Sequence, residues 1–175
     1  MKYRVMMMVV AMVILVGCER AHETPNPGSV PPETNAQTPP AALMSNGQVA
    51  AATVAITTSG GISNVTAEIA QSDEERTRGL MGRESIPENN GMWFVFPSVV
   101  EDKFWMKDTT IPLDIIFVGS DMKVVDFISN TVPLSTELLS SRVPYQYVLE
   151  VNAGYAASHG IQVGDTVQLR SGPAE

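Results

Sequence analysis

The sequence predicts a mainly β fold: a compact β sandwich or barrel-like single domain carrying one or two short helices. Three features point there. Apolar residues recur at every second position in several stretches, the period of a strand set in a sheet. Gly, Asp, Ser and Asn sit between those stretches as turn signals. The two segments that read as helical are too short to carry a parallel α/β sheet, which leaves a sandwich or barrel.

The elements follow in order. Val54 and Ile56, then Val65, Ala67 and Ile69, each mark a strand with one apolar face. Ser72-Asp73-Glu74-Glu75 is a capping-box pattern with acid in the first turn, so a helix begins at Asp73 and ends near Gly82. Met92, Phe94 and Phe96 share one face of the next strand, which turns Trp93 outward. The same alternation sets Phe104 and Met106 on one side and Trp105 and Lys107 on the other. Leu113 to Val118 and Val124 to Ile128 flank Gly119-Ser120-Asp121, a hairpin turn. Tyr145, Tyr147, Leu149 and Val151 alternate again. Ala153 to His159 forms a second helix, with Gly160 as its stop and His159 placed well in its last turn. After a Val163-Gly164-Asp165 turn, Thr166 to Leu169 closes the sheet.

The N-terminal region has a different logic. Lys2 and Arg4 precede an uncharged run from Val5 to Val16, whose length of about 18 Å at helical rise falls short of a bilayer core of roughly 30 Å. Residues 1–17 therefore read as an export signal and not as a membrane span. The run ends in Leu15-Val16-Gly17-Cys18, which resembles a bacterial lipobox. That resemblance implies a lipid on the Cys18 sulfur, membrane attachment through it, and a periplasm-facing place in the cell envelope. Cys18 is the single cysteine, so no intramolecular disulfide is available. Glu19 in place of Asp after the cysteine favours the outer membrane, by analogy with enteric sorting. Residues 18–47 carry Pro25, Pro27, Pro31, Pro32, Pro39 and Pro40 and almost no large apolar residues, the composition of a disordered tether. A single domain is expected over residues 48–175. Loss of Lys2 and Arg4 with the signal takes the 11 basic residues to 9 against 19 acidic, and the formal charge from −8 to −10. Such a surface repels phosphates and argues against a nucleic-acid partner.

Three stretches carry a further resemblance: Glu75-Arg76-Thr77-Arg78-Gly79-Leu80-Met81-Gly82-Arg83, Gly91-Met92-Trp93-Phe94-Val95-Phe96, and Phe104-Trp105-Met106-Lys107-Asp108-Thr109 leading into Ile111-Pro112-Leu113-Asp114-Ile115-Ile116-Phe117. With Tyr147-Val148-Leu149-Glu150 and Gly160-Ile161-Gln162-Val163-Gly164-Asp165, they resemble the uncharacterised "domain of unknown function 192" family over about residues 65–169. The resemblance implies a compact, mainly β domain with no established activity. The sequence departs from the family pattern at Asp108, where Asn is usual, and at Gly82, where a bulkier residue is common.

Asp114 sits at the head of an apolar strand, where an ionised carboxylate is costly unless paired. Lys107, Arg76, Arg78 and Arg83 are its candidate basic partners. Arg76, Arg83, Trp105, Lys107, Asp108 and Asp114 thus form a candidate binding patch for an envelope glycan, peptide or protein partner, against the plainer reading of a structural ion pair. A catalytic alternative takes Asp114 and Glu150 as paired carboxylates of a polysaccharide hydrolase. A metal alternative takes Met81, Met92 and Met106 as thioether ligands for Cu(I), against the plainer reading of core packing. No cofactor is implied: CxxC, HExxH, GxSxG and calcium-loop patterns are absent.

Overall fold

The structure, a computed structural model, describes residues 50–171; Cys18, the export signal and the proline-rich tether lie outside them. In chain order the elements are β1 (Ala51–Thr58), β2 (Gly61–Ala70), α1 (Asp73–Arg78), β3 (Asn90–Val100), β4 (Lys103–Phe104), β5 (Leu113–Val118), β6 (Val124–Ile128), β7 (Leu139–Ser140), β8 (Tyr145–Asn152), α2 (Tyr155–Ser158) and β9 (Thr166–Ser171). β4 and β7 pair as a small ribbon, and the other strands form one sheet in the order β6-β5-β8-β3-β2-β1-β9. Every pair is antiparallel except β2 and β3, whose parallel pairing is allowed by the crossover that contains α1. The mainly β expectation holds, in the form of a curled sheet making a half-barrel.

The two outermost strands meet where the curl brings them together. Lys123 bridges Thr166, the Val124 N–H donates to the Asp165 carbonyl at 2.9 Å, and the Val167 N–H donates to Met122 at 2.8 Å. Val124 and Val167, one from each end of the sheet, join Val54, Ile56, Val65, Trp93, Ile116, Leu149 and Val151 in an enclosed core. α2 closes this core with Tyr155 and Ala156.

The opposite side of the sheet is buried as well. Met92, Phe94, Phe96, Leu113, Ile115, Phe117 and Val148 pack under Leu80, Ile86, Met106 and Ile111, with half-buried Phe104 and Leu139 from the β4–β7 ribbon. β5 is therefore buried at all six positions, which explains why every residue in it but Asp114 is apolar. The same arrangement corrects the expectation for Trp93. Its side chain does point away from Met92, Phe94 and Phe96, but into the enclosed core. There it is fully buried and stacks on Tyr147 with ring centroids 5.4 Å apart.

The capping box forms as read: Ser72 Oγ accepts from the Glu75 N–H, and Glu75 Oε2 accepts from the Ser72 and Gln71 N–H groups at 2.9 Å. Those backbone donors hold the Glu75 carboxyl below its usual range. The helix is shorter than expected. It stops at Arg78 because Gly79 takes a positive φ of 47°, and Gly79 through Arg83 continue as turns. The second helix covers only Tyr155–Ser158, and Gly160 follows at φ 63° as its expected stop. The β5–β6 hairpin and the closing strand β9 are where the alternation and turn residues put them.

Candidate functional site

β8 lies in the middle of the sheet between β5 and β3, so its residues have cross-strand neighbours on both sides. Glu150 is opposite Met92 on β3 and Ile115 on β5, and therefore faces the side covered by α1, the following turns and the β4–β7 ribbon. Those covering segments do not meet over it. They leave a cavity of about 360 Å³. Leu80, Met106, Leu113, Phe94 and Phe96 line it with Glu150, Phe104, Trp105 and Met81 complete its walls, and Asp73, Arg76, Thr77, Arg78, Asp102 and Lys103 stand along it from α1 and the β3–β4 connection.

Glu150 is buried, with 6% of its surface exposed. Among the described residues no hydrogen bond or ion pair reaches its carboxyl group, although it lines the cavity. Burial alone pushes its pKa from the ordinary 4.5 up to about 8, because the charged form loses its water and gains no cation. A buried carboxyl without a partner among the described residues, at the wall of a cavity, is a costly feature that serves no evident packing purpose.

The aromatic walls are braced by edge-on contacts. Phe104 meets Phe94 at 5.6 Å and 83°, and Phe117 at 5.9 Å and 77°. Phe96 meets Tyr145 at 5.6 Å and 82°. The Tyr145 hydroxyl donates to the Asp102 carbonyl at 2.8 Å, tying β8 to the residue before β4; burial, then the Asp102 charge, raises its pKa. Arg76 spreads across the same wall. It lies 5.0 Å above the Phe96 ring, donates to the Val95 carbonyl at 2.8 Å and to the Gln71 carbonyl, and pairs with Asp73. Its charge is thus largely committed.

The six residues of the expected patch are not one surface. Arg76 and Trp105 line the cavity, and Trp105 is 42% exposed with Lys107 Nζ 5.4 Å from its ring. Arg83 pairs with Glu68 on β2 in a two-pronged contact away from the cavity, which raises the guanidinium pKa. Asp108 serves through its backbone: it holds φ 55° and its carbonyl accepts the Gly82 N–H at 2.8 Å. Asp, like Asn, tolerates that left-handed conformation, so Asp108 keeps the turn.

Asp114 requires a correction on its partner. Its register opposite Val151 turns it toward the enclosed side, where its two oxygens accept the Asn130 and Ala156 N–H groups, each at 2.9 Å. Two backbone donors take the place of the expected basic side chain. Asp114 and Glu150 consequently lie on opposite faces of the sheet, and the paired-carboxylate hydrolase has no common cleft to work in. The thioether set is also divided. Met81 and Met106 line the cavity, whereas Met92 packs in the core and is not on the cavity wall. Lys103 and Thr109 line the cavity and carried no sequence signal that set them apart.

Comparisons with known proteins agree with this architecture. The family model DUF192, described as "Uncharacterized ACR", matches residues 54–169. The chain belongs to the DUF192 family. A crystal structure of a protein of unknown function from Novosphingobium aromaticivorans is 38% identical, with a TM-score of 0.66 over 67% of this chain and 84% of that one. A Sinorhizobium meliloti protein described as a "putative transcription regulator" is 34% identical, with a TM-score of 0.68 over 71% of this chain and 98% of that one. No curated protein matches this DUF192 chain.

Proposed function

We propose that this DUF192 domain is a non-catalytic binding module of the bacterial cell envelope, tethered through lipid on Cys18, and that its ligand seat is the cavity beside Glu150. One observation carries the reading: a buried carboxyl without a partner among the described residues lines a cavity that has aromatic and thioether side chains around it and charged side chains along α1 and β4. That combination suits a small organic ligand, with apolar walls for its body and one polar group for its orientation. Trp105, partly exposed on the wall, offers a flat contact for a larger glycan or peptide that reaches outward. The excess of 19 acidic over 11 basic residues opposes a nucleic-acid role of the kind named for the Sinorhizobium protein.

Thermal-shift screening of the chain against envelope sugars, peptides and small aromatic compounds tests the seat, since a bound ligand raises Tm by mass action. Ligands that raise Tm in the wild type and fail in Phe104→Ala support it. An absence of shifts across all classes contradicts it. The anchor is tested separately by the mass of the mature N-terminus: acyl chains on Cys18 are expected, and an unmodified Cys18 thiol overturns the tether.

A further inference from the structure

We propose that the seat selects an organic ammonium compound, whose cationic head pairs with the Glu150 carboxylate while its body lies against Phe94, Phe96, Phe104 and Trp105. This inference rests on the binding reading above and names its ligand class.

Glu150 is 94% buried by its 6% exposure, lines the cavity and has no partner among the described residues. An ammonium group pairs with the carboxylate at that burial, where attraction between opposite charges is stronger than in bulk water. The rings around it add to the preference, because aromatic faces attract cations. A neutral alcohol gains only a hydrogen bond from the protonated acid. A carboxylate gains that bond but no cation at the same depth.

The other charges along the cavity do not supply the missing partner. On α1, Arg76 is engaged by Asp73, Phe96 and the carbonyls of Val95 and Gln71, and Arg78 is solvent-exposed. Before and on β4, Asp102 and Lys103 are exposed and of opposite sign. β3 and β5 place the apolar Met92 and Ile115 opposite Glu150. Exposed charges are screened by solvent and salt, so the deep carboxyl dominates selection.

The pairing has a proton signature. Free Glu150 titrates at about 8 and so holds its proton at pH 7. Binding an ammonium draws that pKa down, and the carboxyl proton leaves to buffer as the ion pair forms.

Benzylammonium, benzyl alcohol and benzoate have nearly one shape and differ in charge, so they separate the possibilities. Calorimetric titration of the full chain in detergent, at pH 7 in two buffers of different ionisation enthalpy, gives both affinity and proton release. The expected result is tightest binding of benzylammonium with close to one proton released per molecule, and loss of both the preference and the release in Glu150→Gln. Circular dichroism of the variant confirms that it is folded. Binding of benzyl alcohol or benzoate as tightly as benzylammonium, or of benzylammonium without proton release, overturns the ammonium inference and leaves the seat standing. No binding by any of the three also overturns the ammonium inference, and the seat then stands or falls by the thermal-shift screen.

Discussion

The Gly91 α-carbon lies against the Glu150 carbonyl oxygen: a β-carbon at position 91 would sit 2.3 Å from it. The same β-carbon would come within 3.0 Å of a Val151 methyl. A glycine at this point lets β3 approach β8 beside the register pair Met92–Glu150. The obstacle is backbone and cannot rotate away. Gly91→Ala is expected to cost roughly 1–3 kcal/mol in denaturant unfolding, the range of overpacked core sites. A loss below about 0.5 kcal/mol would show that the strands separate freely there.

Glu150 also gives the fold a pH dependence of definite sign. Its folded pKa of about 8 exceeds the ordinary 4.5, so the folded chain binds the proton more tightly. Stability is fully present below pH 4.5, declines as pH rises, and has lost this contribution once pH passes about 8. Glu150→Gln removes the ionisation and should be more stable than wild type at pH 9 by on the order of 4 kcal/mol, with the gap closing near pH 4. Urea midpoints across pH 4–9 measure it.

Asp114 separates a carboxylate from its mere polarity. Asp114→Ala strands the N–H groups of Asn130 and Ala156 and should cost about 2–4 kcal/mol. Asp114→Asn keeps one acceptor oxygen and should cost clearly less. Equal losses would show that packing against α2, not acceptance of the two N–H groups, is what the residue supplies.

Asp126 works in the opposite pH window. The buried carboxylate accepts from the Arg142 guanidinium, its backbone N–H at 2.8 Å and the Phe127 N–H at 2.9 Å, which hold its pKa down at about 2 against an ordinary 3.8. Its stabilisation is present above pH 3.8 and lost as pH falls through 2. Asp126→Asn should flatten acid unfolding over that interval. Arg142 is exposed, so Arg142→Ala should act less than Asp126→Asn.

Much of this architecture is legible in the sequence, and the misses share one cause. Alternation locates β1, β2, β3 and β8, and turn residues locate the β5–β6 hairpin, because those signals are local. The period also gives the correct side for Trp93 relative to Met92. What it cannot give is that both sides of β3, β5 and β8 are covered, since cover comes from distant segments such as α2 and the β4–β7 ribbon. The same gap made Asp114 look in need of a cation, when two backbone N–H groups from residues 130 and 156 serve it. Glu150 was visible only as half of a carboxylate pair. Its isolation among apolar neighbours depends on the register Met92–Glu150–Ile115, which no local pattern encodes.

The ionisation of Glu150 tests the seat most directly, because a partnerless buried carboxyl is its defining feature. Carbon-13 NMR titration of the Glu150 carboxyl, assigned by its loss in Glu150→Gln, should give a midpoint near pH 8 in the free chain. A midpoint near the ordinary 4.5 would show that water or an unseen cation already serves the group, and would contradict the cavity as a site waiting for a ligand.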